Sequence, residues 1–177
     1  MGRMAGKDSW LTSGPEILGA SGPGGLTIDK LVAATGLSTG SFYHHFAGMS
    51  GYRTALLDHF AEVHTTRYLR EIAAADLSAR QRLESLIDRV LDDDSPARIE
   101  PAIRAWAVDD PQAATVQERI DTARLDILRN LLEANGYAPE DARQTGLVVY
   151  LLVLGAASVL PTVAPAELRV PAGRILR

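Results

Sequence analysis

The sequence predicts an all-α protein in two parts: an N-terminal three-helix domain with a helix-turn-helix, and a C-terminal helical domain. Three observations lead there. Apolar residues recur at i, i+3 and i+4 through most of the chain, the period of a helix with one buried face. Glycine and proline clusters fall between those stretches and separate them. The segment Leu26 to Phe46, LTIDKLVAATGLSTGSFYHHF, reads as two short helices around a tight turn.

In chain order, residues 1–8 are expected to form a short flexible arm carrying Arg3 and Lys7. Trp10 to about Gly19 should form the first helix, with Trp10, Ile17 and Leu18 inward and Gly14-Pro15 an awkward interruption. Ser21-Gly22-Pro23-Gly24-Gly25 is a loop. Thr27 can cap the next helix, whose Ile28, Leu31 and Val32 share one apolar face. Gly36 stands where that helix must stop, since glycine alone takes the left-handed conformation without strain. Leu37 plugs the turn and Ser38 can cap a second helix, Thr39 to His45, too short to be stable alone. It buries Phe42 and Phe46 and leaves Thr39, Gly40, Ser41, Tyr43 and His44 facing outward.

In such a layout the second helix enters a DNA major groove. Thr39, Ser41 and the His44 imidazole can hydrogen-bond phosphates or base edges, and the Tyr43 ring can lie on a thymine methyl or a sugar. Gly40 removes bulk where the backbones come closest. Thr27 and Ser38 at the helix starts, and Arg53 beyond, complete the candidate DNA-contacting set, with Arg3 and Lys7 within reach of the duplex.

The residues Thr27-Ile28, Leu31-Val32-Ala33, Thr35-Gly36-Leu37-Ser38, Gly40-Ser41-Phe42-Tyr43 and His45-Phe46 resemble the DNA-binding segment of TetR-family transcriptional regulators. Val32 occupies a place where alanine is usual. The chain departs from the family at Met49-Ser50, where many members carry Lys-Glu and the lysine grips a phosphate; Arg53 or the helix-start amides are the available substitutes. A start ending in Gly-Tyr, as in Gly51-Tyr52, also occurs in the family. The resemblance implies a homodimeric regulator, most often a repressor, on pseudo-palindromic DNA, with a second domain enclosing a small ligand that releases it. It also implies that His45 packs or caps inside the DNA-binding unit.

A connecting helix is expected from Met49 or Ser50 to about Ala75, burying Tyr52, Leu56, Leu57, Phe60, Val63 and the aliphatic part of Arg67. The expected division is therefore 1–48 for the arm and helix-turn-helix, 49–75 for the connecting helix and 76–177 for a helical regulatory and dimerisation domain. In that last part, Leu83, Leu86, Ile87, Val90 and Leu91 mark one helix, ended by Asp92-Asp93-Asp94 and Ser95-Pro96. Ile99, Ala102, Ile103 and Trp106 mark another. Asp110-Pro111 is a cap and first-turn proline opening a helix to Ala134, closed by Asn135-Gly136. The last helix should run from Pro139 to Leu160, followed from Pro161 by a short tail ending in Arg174 and Arg177.

The final two long helices carry more apolar surface than a small domain hides. Val116, Ile120, Ile127, Leu128, Leu131, Leu147, Tyr150, Leu151 and Leu154 are the expected dimer interface, a four-helix bundle formed with a second copy. His64, Tyr68, Trp106, Tyr137 and Tyr150, aromatic or polar on apolar helices, are the candidates for contacting a small apolar or aromatic effector.

Composition bounds the rest. The 177 residues are 46% hydrophobic and 23% charged, an ordinary folded composition. Net charge is −4, yet residues 1–57 sum to +1, the sign nucleic acid requires. Without cysteine, disulfides and thiolate metal sites are excluded. His59 and His64 lie five apart, not the three or four of a helical metal pair, so no metal or cofactor is expected. Nor is an enzyme: there is no histidine beyond His64, no phosphate loop, and Ser158 has no partner. The apolar run Leu147 to Leu160 is interrupted by Gly155 and Ser158 and is shorter than the roughly 20 residues of a membrane span. MGRMAGKDSW lacks a signal peptide's apolar run, and a cytoplasmic protein is expected. The competing reading is a helical dimerising adaptor without DNA recognition, which leaves Tyr43 and His44 exposed to no purpose.

Overall fold

The computed structural model describes residues 2–92, 95–156, 158–159 and 163–176, without the side chains of residues 2–5, 95–98 and 165. The Arg3 side chain, and Asp93, Asp94, Leu160, Pro161 and Arg177, thus lie outside the described residues. Among those described, the regular structure is helical throughout: α1 (Gly2–Ser21), α2 (Ile28–Thr35), α3 (Thr39–His45), α4 (Gly48–Ala61), α5 (Arg67–Ala74), α6 (Ala79–Asp92), α7 (Ser95–Asp109), α8 (Pro111–Ala134), α9 (Pro139–Ala156) and α10 (Arg169–Ile175). The chain forms two compact units, Met1–Glu62 with Ile99–Gln117, and Val63–Arg98 with Glu118–Arg177. The last part of α7 and the first turns of α8 therefore pack with the N-terminal helices.

In the first unit, helix α1 begins at Gly2, so the segment expected as a flexible arm is helical. Pro15 sits within it, where its missing amide leaves the Leu11 carbonyl without its helical partner. Gly14 has a packing role: a Cβ there would lie 2.1 Å from the Tyr52 hydroxyl and 2.9 Å from Leu56 Cδ1. Only glycine lets α4 come this close to α1.

Helix α4 ends in a π turn, Glu62–Thr66, before α5. A π turn inserts one residue into the helical period. Buried positions are Tyr52, Leu56, Leu57, Phe60 and Ala61 before the turn, and Thr65, Tyr68 and Ile72 from it onward. This corrects the expected face: Arg67 is exposed, its side chain 51% accessible, and ion-pairs with Glu71. Within the second unit Arg124 ties down the turn, donating to Thr65 Oγ1 at 3.1 Å and to the His64 carbonyl at 3.4 Å.

The second unit has an aliphatic core of Ile72, Leu83, Leu86, Leu128, Leu131, Leu132 and Val149, with Tyr68 and Tyr150 at its edge. Asp110 caps α8 by accepting the Gln112 and Ala113 amides at 2.9 and 3.0 Å, and these bonds hold its carboxyl below the usual range. Gly136, at φ 93°, closes the same helix. The expected C-terminal tail instead folds: Pro165–Leu168 makes a 3-10 turn into α10, and Leu168, Ala172 and Leu176 are buried. Their i, i+4, i+8 spacing gives that helix an apolar face. Arg169 fastens it by ion pairs with Asp88 and Asp92.

Candidate nucleic-acid interface

Each end of the helix pair α2 and α3 is closed by its own sequence. Thr27, extended at φ −125°, accepts the Lys30 amide on Oγ1 at 3.3 Å. Gly36 stops α2 at φ 68°, its amide on the Val32 carbonyl at 2.9 Å. Thr35 tightens the turn, donating to the Leu31 carbonyl at 2.8 Å and accepting the Leu37 amide at 3.2 Å. Ser38 then caps α3, accepting the Ser41 amide at 3.2 Å. Two capped ends place α3 at a set angle to α2.

Behind α3 lies a box of rings. Phe42, fully buried, meets Trp10 edge-on at 5.5 Å, Phe46 at 5.2 Å and Tyr52 at 5.6 Å. Phe46 meets Tyr52 edge-on at 5.1 Å. Edge-to-face pairs fix ring angles as well as spacing, each contributing about 0.5–1.5 kcal/mol beyond area burial. The Tyr52 hydroxyl donates to the Trp10 carbonyl at 2.9 Å, and burial pushes its pKa well above the phenol range. A helix of seven residues is thus held by its neighbours and not by its own propensity.

The opposite surface of α3 is open. Tyr43 is 59% exposed, its ring supported edge-on by Phe42 at 5.7 Å. Thr39, Gly40 and His44 are exposed and Ser41 is half-buried. Thr27 and Ser38 are exposed too; their oxygens accept amides, but each hydroxyl keeps its proton to donate. His45 is half-buried, with Gly6 backed so closely that a Cβ there would lie 3.0 Å from its Nε2. The expected DNA-contacting residues from Thr27 to His44 are therefore brought together on one capped helix pair.

Arg53 is not with them. It is half-buried in the first unit, donates to the Pro23 carbonyl at 3.3 Å, and lies 5.9 Å from the centre of the Trp106 ring. Its Nε is buried without a hydrogen-bond partner among the described residues. The guanidinium turns toward an aromatic face and toward the Pro23 carbonyl, which also accepts the Leu26 amide at 3.2 Å. Lys7 and Lys30 are the exposed cations nearby in sequence; Lys30 reaches the Ser21 hydroxyl at 3.1 Å, and Lys7 lies 6.0 Å from the Phe46 ring centre.

The expected effector residues scatter. Trp106 belongs to the first unit, 5% exposed under Arg53. Tyr68 donates to the Leu86 carbonyl at 3.1 Å and Tyr150 to Asp121 at 2.7 Å, so both serve the second unit's packing. His64 is half-buried in the π turn. Tyr137 lines an open cleft of about 390 Å³ with Arg80, Leu83, Asp141 and Leu176, and its hydroxyl is buried without a partner among the described residues.

The expected dimer residues divide as well. Val116, Ile120, Leu128, Leu131 and Tyr150 are already buried within one chain, so they offer no surface to a second copy. Ile127 and Leu154 are half-buried. On α9, Gly146, Val149 and Tyr150 face inward, and a Cβ on Gly146 would stand 3.4 Å from Leu128 Cβ. Leu147, Val148 and Leu151 are left 38%, 49% and 55% exposed. Val148 was not in the expected set, though its place beside Leu147 on an apolar helix could have included it.

Residues 11–51 match the family model for bacterial regulatory proteins of the tetR family. No curated protein matches the chain. Among solved structures, a transcriptional regulator of the TetR/AcrR family superposes at a TM-score of 0.81 with 19% identity, over 98% of this chain and 100% of that one. A TetR transcription regulator from Haloarcula marismortui gives 0.79 with 17% identity, over 98% and 97%. NemR of Escherichia coli in its reduced form gives 0.75 with 19% identity, over 97% and 94%. At these identities the structures speak for the fold, while the family match falls on the capped helix pair itself. Among the described residues, no helix is long and apolar enough to cross a membrane. Residues 11–51 thus carry a helix-turn-helix matched to the DNA-binding segment of tetR-family regulatory proteins, on a fold shared along nearly the whole chain with solved TetR/AcrR regulators, which supports DNA-binding transcription regulation.

Proposed function

We propose that the protein is a cytoplasmic repressor that binds a pseudo-palindromic operator as a homodimer and leaves it when a small molecule binds. The observation that carries this reading is the two-sided character of α3: a ring box behind, and Tyr43 with Thr39, Ser41 and His44 in front. Thr27, Ser38, Thr39, Gly40, Ser41, Tyr43 and His44 form the reading surface, hydrogen-bonding phosphates and base edges with no lysine or arginine on α3. By task the chain divides into residues 1–48 for reading, 49–75 for connection, and 76–177 for dimerisation and sensing. The exposed stripe Leu147, Val148 and Leu151 supports α9 as the face that a second copy covers, and a twofold dimer matches a twofold operator. The effector is apolar or aromatic, entering by the second unit, where Tyr137 lines the open cleft.

Fluorescence anisotropy on the DNA flanking the protein's own gene, against a random duplex of equal length, tests the reading. Specific binding by a dimer, lost in Tyr43→Ala with the dimer intact, is the expected result. No preference over random DNA there, and none in a genome-wide selection, would leave a helical adaptor in its place.

A further inference from the structure

We propose that Arg53 is a positioning residue for DNA recognition, clamping the loop in front of α2 to the corner between α7 and α8, and not a phosphate contact. The proposal rests on the DNA-binding reading above. Every residue it uses lies within the first compact unit.

The clamp is a relay of four groups. The Pro23 carbonyl, in the turn that leads into the Thr27 cap, accepts from the Arg53 guanidinium at 3.3 Å. That guanidinium lies against the Trp106 ring at 5.9 Å, within cation–π range. The Trp106 indole N–H in turn donates to the Asp110 carboxylate, which holds the first turn of α8 through the Gln112 and Ala113 amides. One residue along α4, Thr54 accepts from Gln112 Nε2 at 2.8 Å. Adjacent residues of α4 thus grip the same corner, and one of them also grips the loop that sets the start of α2.

The chemistry suits a clamp better than a phosphate grip. A phosphate contact needs a guanidinium fork open to solvent, whereas here Nε is buried and, among the described residues, unpartnered, a cost that the ring and the carbonyl offset. Arginine suits such a site and lysine does not, because stacking needs a planar cation. If the α7–α8 corner moves off α4, the cation loses its ring and the Pro23 loop loses its anchor. By linkage, a duplex that fixes the loop must in turn favour the clamped corner.

The test uses the full chain and an operator duplex selected with the wild type, with affinity measured over a salt series. Arg53→Met and Arg53→Lys should each weaken binding about tenfold while leaving the salt slope unchanged. The exposed-side variant Gln112→Ala, which removes only the Thr54 tie, should weaken binding less. Combined with Arg53→Met, it should add little beyond the single change, since both release one corner. A slope reduced by about one in Arg53→Met, with Arg53→Lys close to wild type, would make Arg53 a phosphate contact and overturn the clamp. Unchanged affinity in Arg53→Met and Gln112→Ala alike would overturn it too. Failure of the wild type to prefer any duplex would sink the DNA reading itself, and that arm tells the two failures apart.

Discussion

Helices α3 and α9 both leave a face to something outside the chain, and the two faces have opposite chemistry. On α3 the outward groups are hydroxyls, an imidazole and one supported ring, and the inward group is the fully buried Phe42. On α9 the outward groups are Leu147, Val148 and Leu151, and the inward ones include a glycine and a tyrosine whose hydroxyl is already bonded. Polar groups displayed on a rigid seven-residue helix suit a partner read by hydrogen bonds. An apolar stripe on an eighteen-residue helix suits a partner that removes it from water. Each outward face therefore names a class of partner, and the inward packing shows how firmly that face is held.

The largest expected effect breaks the support of α3. Phe42→Ala should cost about 3–5 kcal/mol, read as a lowered thermal midpoint with loss of DNA binding. A variant that melts like wild type would mean that the ring box does not hold the helix. Next, Leu151→Glu should weaken self-association by about 2 kcal/mol or more in sedimentation equilibrium, with helicity unchanged. An unaltered dimer would move the interface off α9. Tyr43→Ala sharpens the contrast from the other side: operator affinity should fall by about 1–3 kcal/mol, while stability stays within about 0.5 kcal/mol.

The smallest effect concerns pH. Tyr52 has its folded-state pKa raised by burial above the unfolded value of about 10, so its contribution is complete below that pH and is lost as pH rises. Tyr52→Phe should cost about 0.5–1.5 kcal/mol at neutral pH through the lost bond to Trp10. Above pH 10 it should remove one proton's worth of the decline, about 1.4 kcal/mol per unit. Parallel denaturation midpoints for the two proteins through the alkaline range would disprove the assignment.

Much of this was legible in the residues because the determinants are local. Thr27, Gly36 and Ser38 close their helices as the sequence predicts, and Asp110-Pro111 opens a helix that runs to Ala134 as expected. The π turn was not legible: one added residue leaves no compositional mark, and the Arg67 face follows from it. Arg53 escaped for another reason. Near a reading helix an arginine suggests phosphate, and its turn toward Trp106 depends on a residue far along the chain. The C-terminal helix was hidden behind Pro161 and Pro165, although Leu168, Ala172 and Leu176 carried its period. For α8 the apolar residues were expected to meet a second copy, but Val116, Ile120, Leu128 and Leu131 are already buried within one chain.

The lack of lysine and arginine on α3 has a consequence for how such a reading surface would find its site. Non-specific attraction to DNA comes almost wholly from cations displacing counterions, and α3 itself contributes no lysine or arginine to do so. A protein that reads DNA this way should spend little time sliding on bulk chromosome, so few copies should be sequestered there. Arrival then depends on three-dimensional encounters more than on scanning. Occupancy of the operator should drift little when the cell's ionic strength changes.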